Sequence, residues 1–183
     1  MSEFEEYLTL RKEEERIERE LPKLEKRFEK DILEAITNKD LAEAIIEGWK
    51  GLDYEEKKKI IKHLNKHRKD FQKIVDFLKE QGEIKQNAKY DIGIFLATMP
   101  ILTGLCLTSL PIDISFMLGT GISSILTFLM SPYTPEFKKF IDNVKSHIGF
   151  KKYIKKLEQK IPKLTKLIST LEERAKGLLH KVV

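Results

Sequence analysis

Only one cysteine, Cys106, stands among the 183 residues, so no internal disulfide can form and a disulfide-stapled scaffold is excluded. Its neighbours Leu105 and Leu107 are apolar and no base is near, which marks it as a buried small residue rather than a nucleophile. The first twenty residues contain no apolar run and many glutamates, which argues against both a secretory leader and a transit peptide. No glycine-rich phosphate loop is present. Gly119-Thr120-Gly121 lies in an apolar run and lacks the accompanying lysine. No paired carboxylates stand in apolar surroundings, and no Ser-His-Asp arrangement can be argued. His63 and His67 have the i, i+4 spacing of metal ligands, but Lys62, Lys66 and Arg68 surround them and repel a cation. The sequence therefore predicts no catalytic residue, no cofactor and no metal, and an enzyme is not expected.

The most informative shortage is of charge in one block. Residues 1–89 carry 21 basic and 22 acidic groups, and residues 138–183 carry 13 basic and four acidic ones. The 48 residues between, 90–137, hold no lysine or arginine and only three acids. Within them Ile92 to Ile112 is a run of 21 uncharged residues, and Ile114 to Ser131 a run of 18, separated by Asp113 alone. As helices these runs span roughly 31 and 27 Å, each near the ~30 Å hydrocarbon core of a bilayer. One continuous helix would bury Asp113 at its centre, at a cost of roughly 2.5–3.5 kcal/mol. A hairpin with its turn near 109–113 avoids this, and Ser109, Pro111 and Asp113 are turn residues.

Lys73, Lys79, Lys85 and Lys89 precede the block, and Lys138, Lys139, Lys145, Lys151 and Lys152 follow it, while the turn has none. The bias of lysine toward the cytoplasmic side then predicts a multi-pass protein of the cell membrane with both termini cytoplasmic. Tyr90 and Tyr133 would mark the interfaces. Gly93/Ala97, Gly104/Thr108 and Gly119/Ser123 would let helices approach closely, and Pro100 would kink the first span. Lys85, Lys89, Lys138, Lys139, Lys145, Lys151 and Lys152 are the expected contacts with anionic lipid headgroups. Nucleic acid is not the expected partner, because the basic stretch lacks arginine clusters and interleaved aromatics.

The flanks read as amphipathic helices, so the fold class is all-α. Ile17, Leu21, Leu24, Phe28, Ile32 and Ala35 form one seam. Leu41–Trp49 is a short helix after the caps Asn38 and Asp40. Asp53 with Glu56 is a capping box for a long helix from Tyr54 to about Gln81, ended by Gly82. A helix opens at Glu136 and is expected to break at Gly149. From Ile154 through Leu157, Ile161, Leu164, Ile168, Leu171, Ala175, Leu178 and Val182 the apolar steps alternate three and four, crossed by Pro162. This seam either pairs copies of the chain or packs on its own N-terminal helices; the echo of Leu21-Pro22-Lys23-Leu24 in Ile161-Pro162-Lys163-Leu164 favours the second. The expected organisation is an N-terminal helical region, 1–89, a two-helix membrane hairpin, 90–133, and basic C-terminal helices, 134–183.

Two resemblances bear on function. A hydrophobic hairpin among amphipathic helices is loosely similar to the pore domains of colicins, which hide such a hairpin until they insert, although here it lies farther from the C-terminus. Helix, acidic turn, helix with coiled-coil flanks is loosely similar to the pore of the mitochondrial calcium uniporter. There the turn carries a WDxxEP-type signature; Pro111-Ile112-Asp113-Ile114-Ser115 has no tryptophan before it and no glutamate after it. Three expectations follow. The chain is a homo-oligomeric membrane pore with Asp113 at its mouth, a membrane anchor whose helices recruit a helical protein partner, or a helical bundle that conceals an insertable hairpin. The alternative to all three is that the two apolar runs are core helices of an ordinary soluble bundle.

Overall fold

The computed structural model describes residues 3–89, 91–108 and 134–160. Over these residues the chain is all-α. The helices are α1 (Glu3–Ala35), α2 (Lys39–Lys50), α3 (Tyr54–Lys66), α4 (Arg68–Glu80), α5 (Ile92–Leu107), α6 (Pro135–Ser146) and α7 (148–160). The turn with Asp113, the second apolar run, Tyr90, Tyr133 and the heptad positions from Ile161 onward lie outside the described residues.

Local chemistry sets the helix starts. Asn38 accepts a hydrogen bond from the Leu41 amide at the head of α2. The capping box of α3 is complete, with the Glu56 amide donating to Asp53 Oδ1 and the Asp53 amide to Glu56 Oε2, both at 2.9 Å. Thr134 caps α6, with Pro135 at its first position. The seam of α1 is buried at all six anticipated positions, and the helix runs unbroken through Pro22.

Two boundaries differ from the sequence reading. The helix expected over 54–81 is two helices. His67 leaves helical geometry at φ −109°, ψ 20°, and its amide is shared between the carbonyls of His63 and Leu64. The break lets Ile60, Ile61 and Leu64 of α3 and Phe71, Ile74, Val75 and Leu78 of α4 each reach the core on their own axis. Gly149 does not end a helix but lies inside α7, whose predecessor stops at His147. A side chain at Gly149 would collide with the backbone carbonyl of Asp40.

The first apolar run is the central element of the bundle. α5 is packed by α1, α4, α2, α6 and α3. Ile94, Phe95, Leu96, Ala97, Thr98, Met99, Ile101, Leu102 and Leu105 are all buried in the single core. The transmembrane hairpin expected from the sequence finds no support here: among the described residues no helix is long and apolar enough to cross a membrane. The sixteen residues of α5 span about 24 Å. A helix that is apolar on every side suits a protein interior as well as lipid. Amphipathic neighbours supply the apolar faces that enclose it.

The start of α5 is held by a clip between two connections. Ile36 and Ile84 form an isolated antiparallel bridge. The Thr37 amide donates to Glu83 O, the Lys85 amide to Ala35 O at 2.8 Å, and Thr37 Oγ1 to Gly82 O at 2.7 Å. Lys79, expected to flank the membrane, is instead buried, and its ammonium donates to the carbonyls of Gln86 and Ala88.

Candidate functional site

The candidate site is α5 with the groups that close over it. Its polar side chains are satisfied within the helix. Thr98 Oγ1 donates to Phe95 O at 2.6 Å, Thr103 Oγ1 to Met99 O at 2.9 Å, and Thr108 Oγ1 to Leu105 O at 2.9 Å. These hydroxyls need no partner on another helix. What joins the body of α5 to its surroundings is apolar packing, including Phe95 against Phe71 with ring centroids 6.1 Å apart. Two of its small residues seat aromatic rings of the bundle. A Cβ on Gly93 would lie 3.2 Å from the Phe28 ring, and one on Gly104 only 2.6 Å from Tyr153 Cε1.

Carboxylates gather where α5 begins. Asp91 Oδ1 accepts from the Ile94 amide at 3.0 Å, capping the helix. Burial pushes the Asp91 carboxyl above its ordinary range, the Ile94 amide opposes this, and the neighbouring carboxylate of Asp31 adds to the rise. A cleft of about 500 Å³ opens beside them, with Arg27, Lys30 and Lys89 on its walls. Elsewhere, Tyr153 donates to Glu83 Oε2 at 3.2 Å. Burial raises both groups, and the hydrogen bond to Tyr153 partly offsets the rise at Glu83. Glu83 and Tyr153 are seventy residues apart, and Asp31 lies within α1 while Asp91 stands far along the chain at the cap of α5, so no local signal marked either pair.

The histidine pair sits at the α3–α4 break. The two imidazole centroids are 4.8 Å apart, and that of His63 is 6.2 Å from the Phe137 ring, edge on. Burial lowers the pKa of His63, with His67 and Lys66 adding to the effect. Among the described residues no group of three or more His, Cys, Asp or Glu is placed to hold a metal.

The seven lysines expected to face lipid are not equivalent. Lys139 is engaged by Glu56 at 2.7 Å. Lys85 and Lys89 are exposed on the connection that leads into α5. Lys138 is exposed and Lys145 half-buried on α6, and Lys151 and Lys152 are exposed on α7. Lys156, one turn farther along α7, is paired with Asp40, whose carboxyl it holds below the usual range. Trp49, the one tryptophan, is buried between Phe28 and Phe140 at centroid distances of 5.5 and 6.2 Å, which makes it an internal reporter of bundle integrity. No protein-family model, curated protein or solved structure matches this chain, leaving its own residues as the guide to function.

Proposed function

We propose that the protein is a helical bundle that keeps an apolar region, 92–131, in reserve and delivers it to a membrane bearing anionic headgroups. The observation that carries this reading is the burial of α5 from Ile94 to Leu105, half-buried Thr103 apart, in a helix that is apolar on all sides and has its threonine hydroxyls bonded to its own carbonyls. For such a helix, lipid tails are as apolar as the protein interior it leaves. Exposure to water would cost about 25 cal/mol for each Å² of apolar surface, so water is not an alternative destination. The uncharged run that begins with α5 continues in sequence to Ile112, and 21 residues inserted as one helix would reach roughly 31 Å, enough to cross the hydrocarbon. Lys138, Lys145, Lys151 and Lys152 supply the positive surface that would bring the bundle to the headgroups. In this reading Asp113 is the polar turn carried to the far face.

Vesicle flotation tests it. Purified without detergent, the chain is expected to float with phosphatidylglycerol-containing vesicles and not with phosphatidylcholine alone, and then to resist carbonate extraction. Trp49 emission should shift to the red as its aromatic neighbours separate. A chain that needs detergent from the first step is a constitutive membrane protein instead, as a pore or anchor would be. A chain indifferent to both kinds of vesicle uses α5 only as a core.

A further inference from the structure

The first three turns or so of α1 project from the bundle. From residue 3 to residue 12 every position is exposed, and the first buried residue of the helix is Ile17. Four of the large exposed apolar side chains of the molecule fall in this tip, with Phe4 69%, Tyr7 56%, Leu8 38% and Leu10 47% exposed. Phe4, Tyr7 and Leu8 share one helical face by their i, i+3, i+4 spacing. Between residues 3 and 15 the arm carries six carboxylates against Arg11 and Lys12.

The complementary surface is on α7. Ile148, 65% exposed, is followed on the same face by Lys151, Lys152 and Lys155, all exposed. An apolar knob beside three cations thus matches an apolar face set among acids. We propose that the projecting arm of one copy of this chain docks on the Ile148–Lys155 face of a second copy. The two patches are different surfaces, so the contact is head to tail, and each copy keeps one patch of each kind for further neighbours. Arm-to-arm pairing is disfavoured by the same charges, since it would bring two acidic segments together. The contact covers lysines that would face headgroups, so a membrane surface and a neighbouring arm exclude each other there.

Complementation in solution tests this. The full chain should show concentration-dependent association by sedimentation velocity at low salt, weakened roughly tenfold or more in about 1 M salt, where charges are screened beyond ~3 Å. Phe4→Ser with Leu8→Ser spoils only the arm, and Lys151→Glu with Lys155→Glu spoils only the α7 face. All four positions are exposed, so Trp49 emission should be unchanged in both variants. Each variant alone should be a monomer, and a mixture of the two should form a 1:1 dimer and nothing larger, because one good arm meets one good face. Association of the α7 variant by itself would mean that arms pair with arms, and the proposal would fall. It would fall equally if the unaltered chain stays monomeric at low salt, or if the mixture does not associate.

Discussion

Gly104 offers a test in which the sign of the effect, not only its size, reports where α5 lies. In a helix that faces solvent or loosely packed surroundings, replacing glycine by alanine stabilises by roughly 0.5–1 kcal/mol, because alanine gives up less backbone freedom. In this structure the added methyl would sit 2.6 Å from Tyr153 Cε1 and 3.2 Å from Ile154 Cδ1. The tyrosine ring cannot step aside cheaply. It is 1% exposed, lies against Phe150 at 6.1 Å and is tied at its hydroxyl to Glu83. Overpacking of a tight core costs about 1–3 kcal/mol. The collision therefore outweighs the propensity gain, and Gly104→Ala is expected to destabilise the bundle by about 1–2 kcal/mol net. Urea unfolding followed by Trp49 emission would read this as a midpoint lower by roughly half a molar, given slopes of about 2–3 kcal/mol per molar. Tyr153→Leu should relieve the collision, so Gly104→Ala in that background should be neutral or stabilising, a coupling of at least ~1 kcal/mol. A midpoint that rises on Gly104→Ala in the unaltered background would refute the packing of α5 against α7.

Two further outcomes follow from the same packing. Gly149→Ala places a methyl against the Asp40 carbonyl, a backbone group that no rotamer change can move, so it should destabilise by more than Gly104→Ala, on the order of 2–3 kcal/mol, read as a larger drop in the urea midpoint. His63 has a lowered pKa in the fold, so the unfolded chain takes up its proton first, and the stability this group contributes is intact above pH 6.5 and lost as pH falls below it. His63→Gln should flatten that part of the stability–pH curve measured in urea; an unchanged slope would remove His63 as its source.

Much of the scaffold was legible because it is written in local chemistry. The α1 seam, the Asn38 cap and the Asp53–Glu56 box each need only residues within a few turns of one another, and each appears where the pattern puts it. The break at His67 was not legible, because no glycine or proline marks it and its cause is the separate docking of Leu64 and Phe71. Gly149 was misread for a related reason. Its role depends on Asp40, more than a hundred residues earlier, which no window along the chain contains. The surroundings of α5 were ambiguous in principle. Uniform apolarity states that a helix avoids water and does not say what replaces the water. Among the lysines, Lys139 looked like its neighbours until Glu56, 83 residues away, proved to hold it.

The clip between the two connections sets a leash on α5. Residue 85 is pinned to the end of α1, and six residues, 86–91, lead from it to Ile92. Stretched fully, the seven steps from residue 85 to Ile92 cover no more than about 23–25 Å. While the clip stays closed, the head of α5 can travel less than the thickness of a bilayer's oily layer from the end of α1. Any excursion into lipid must therefore begin with the whole body resting against the surface, or with the Ile36–Ile84 pairing undone first.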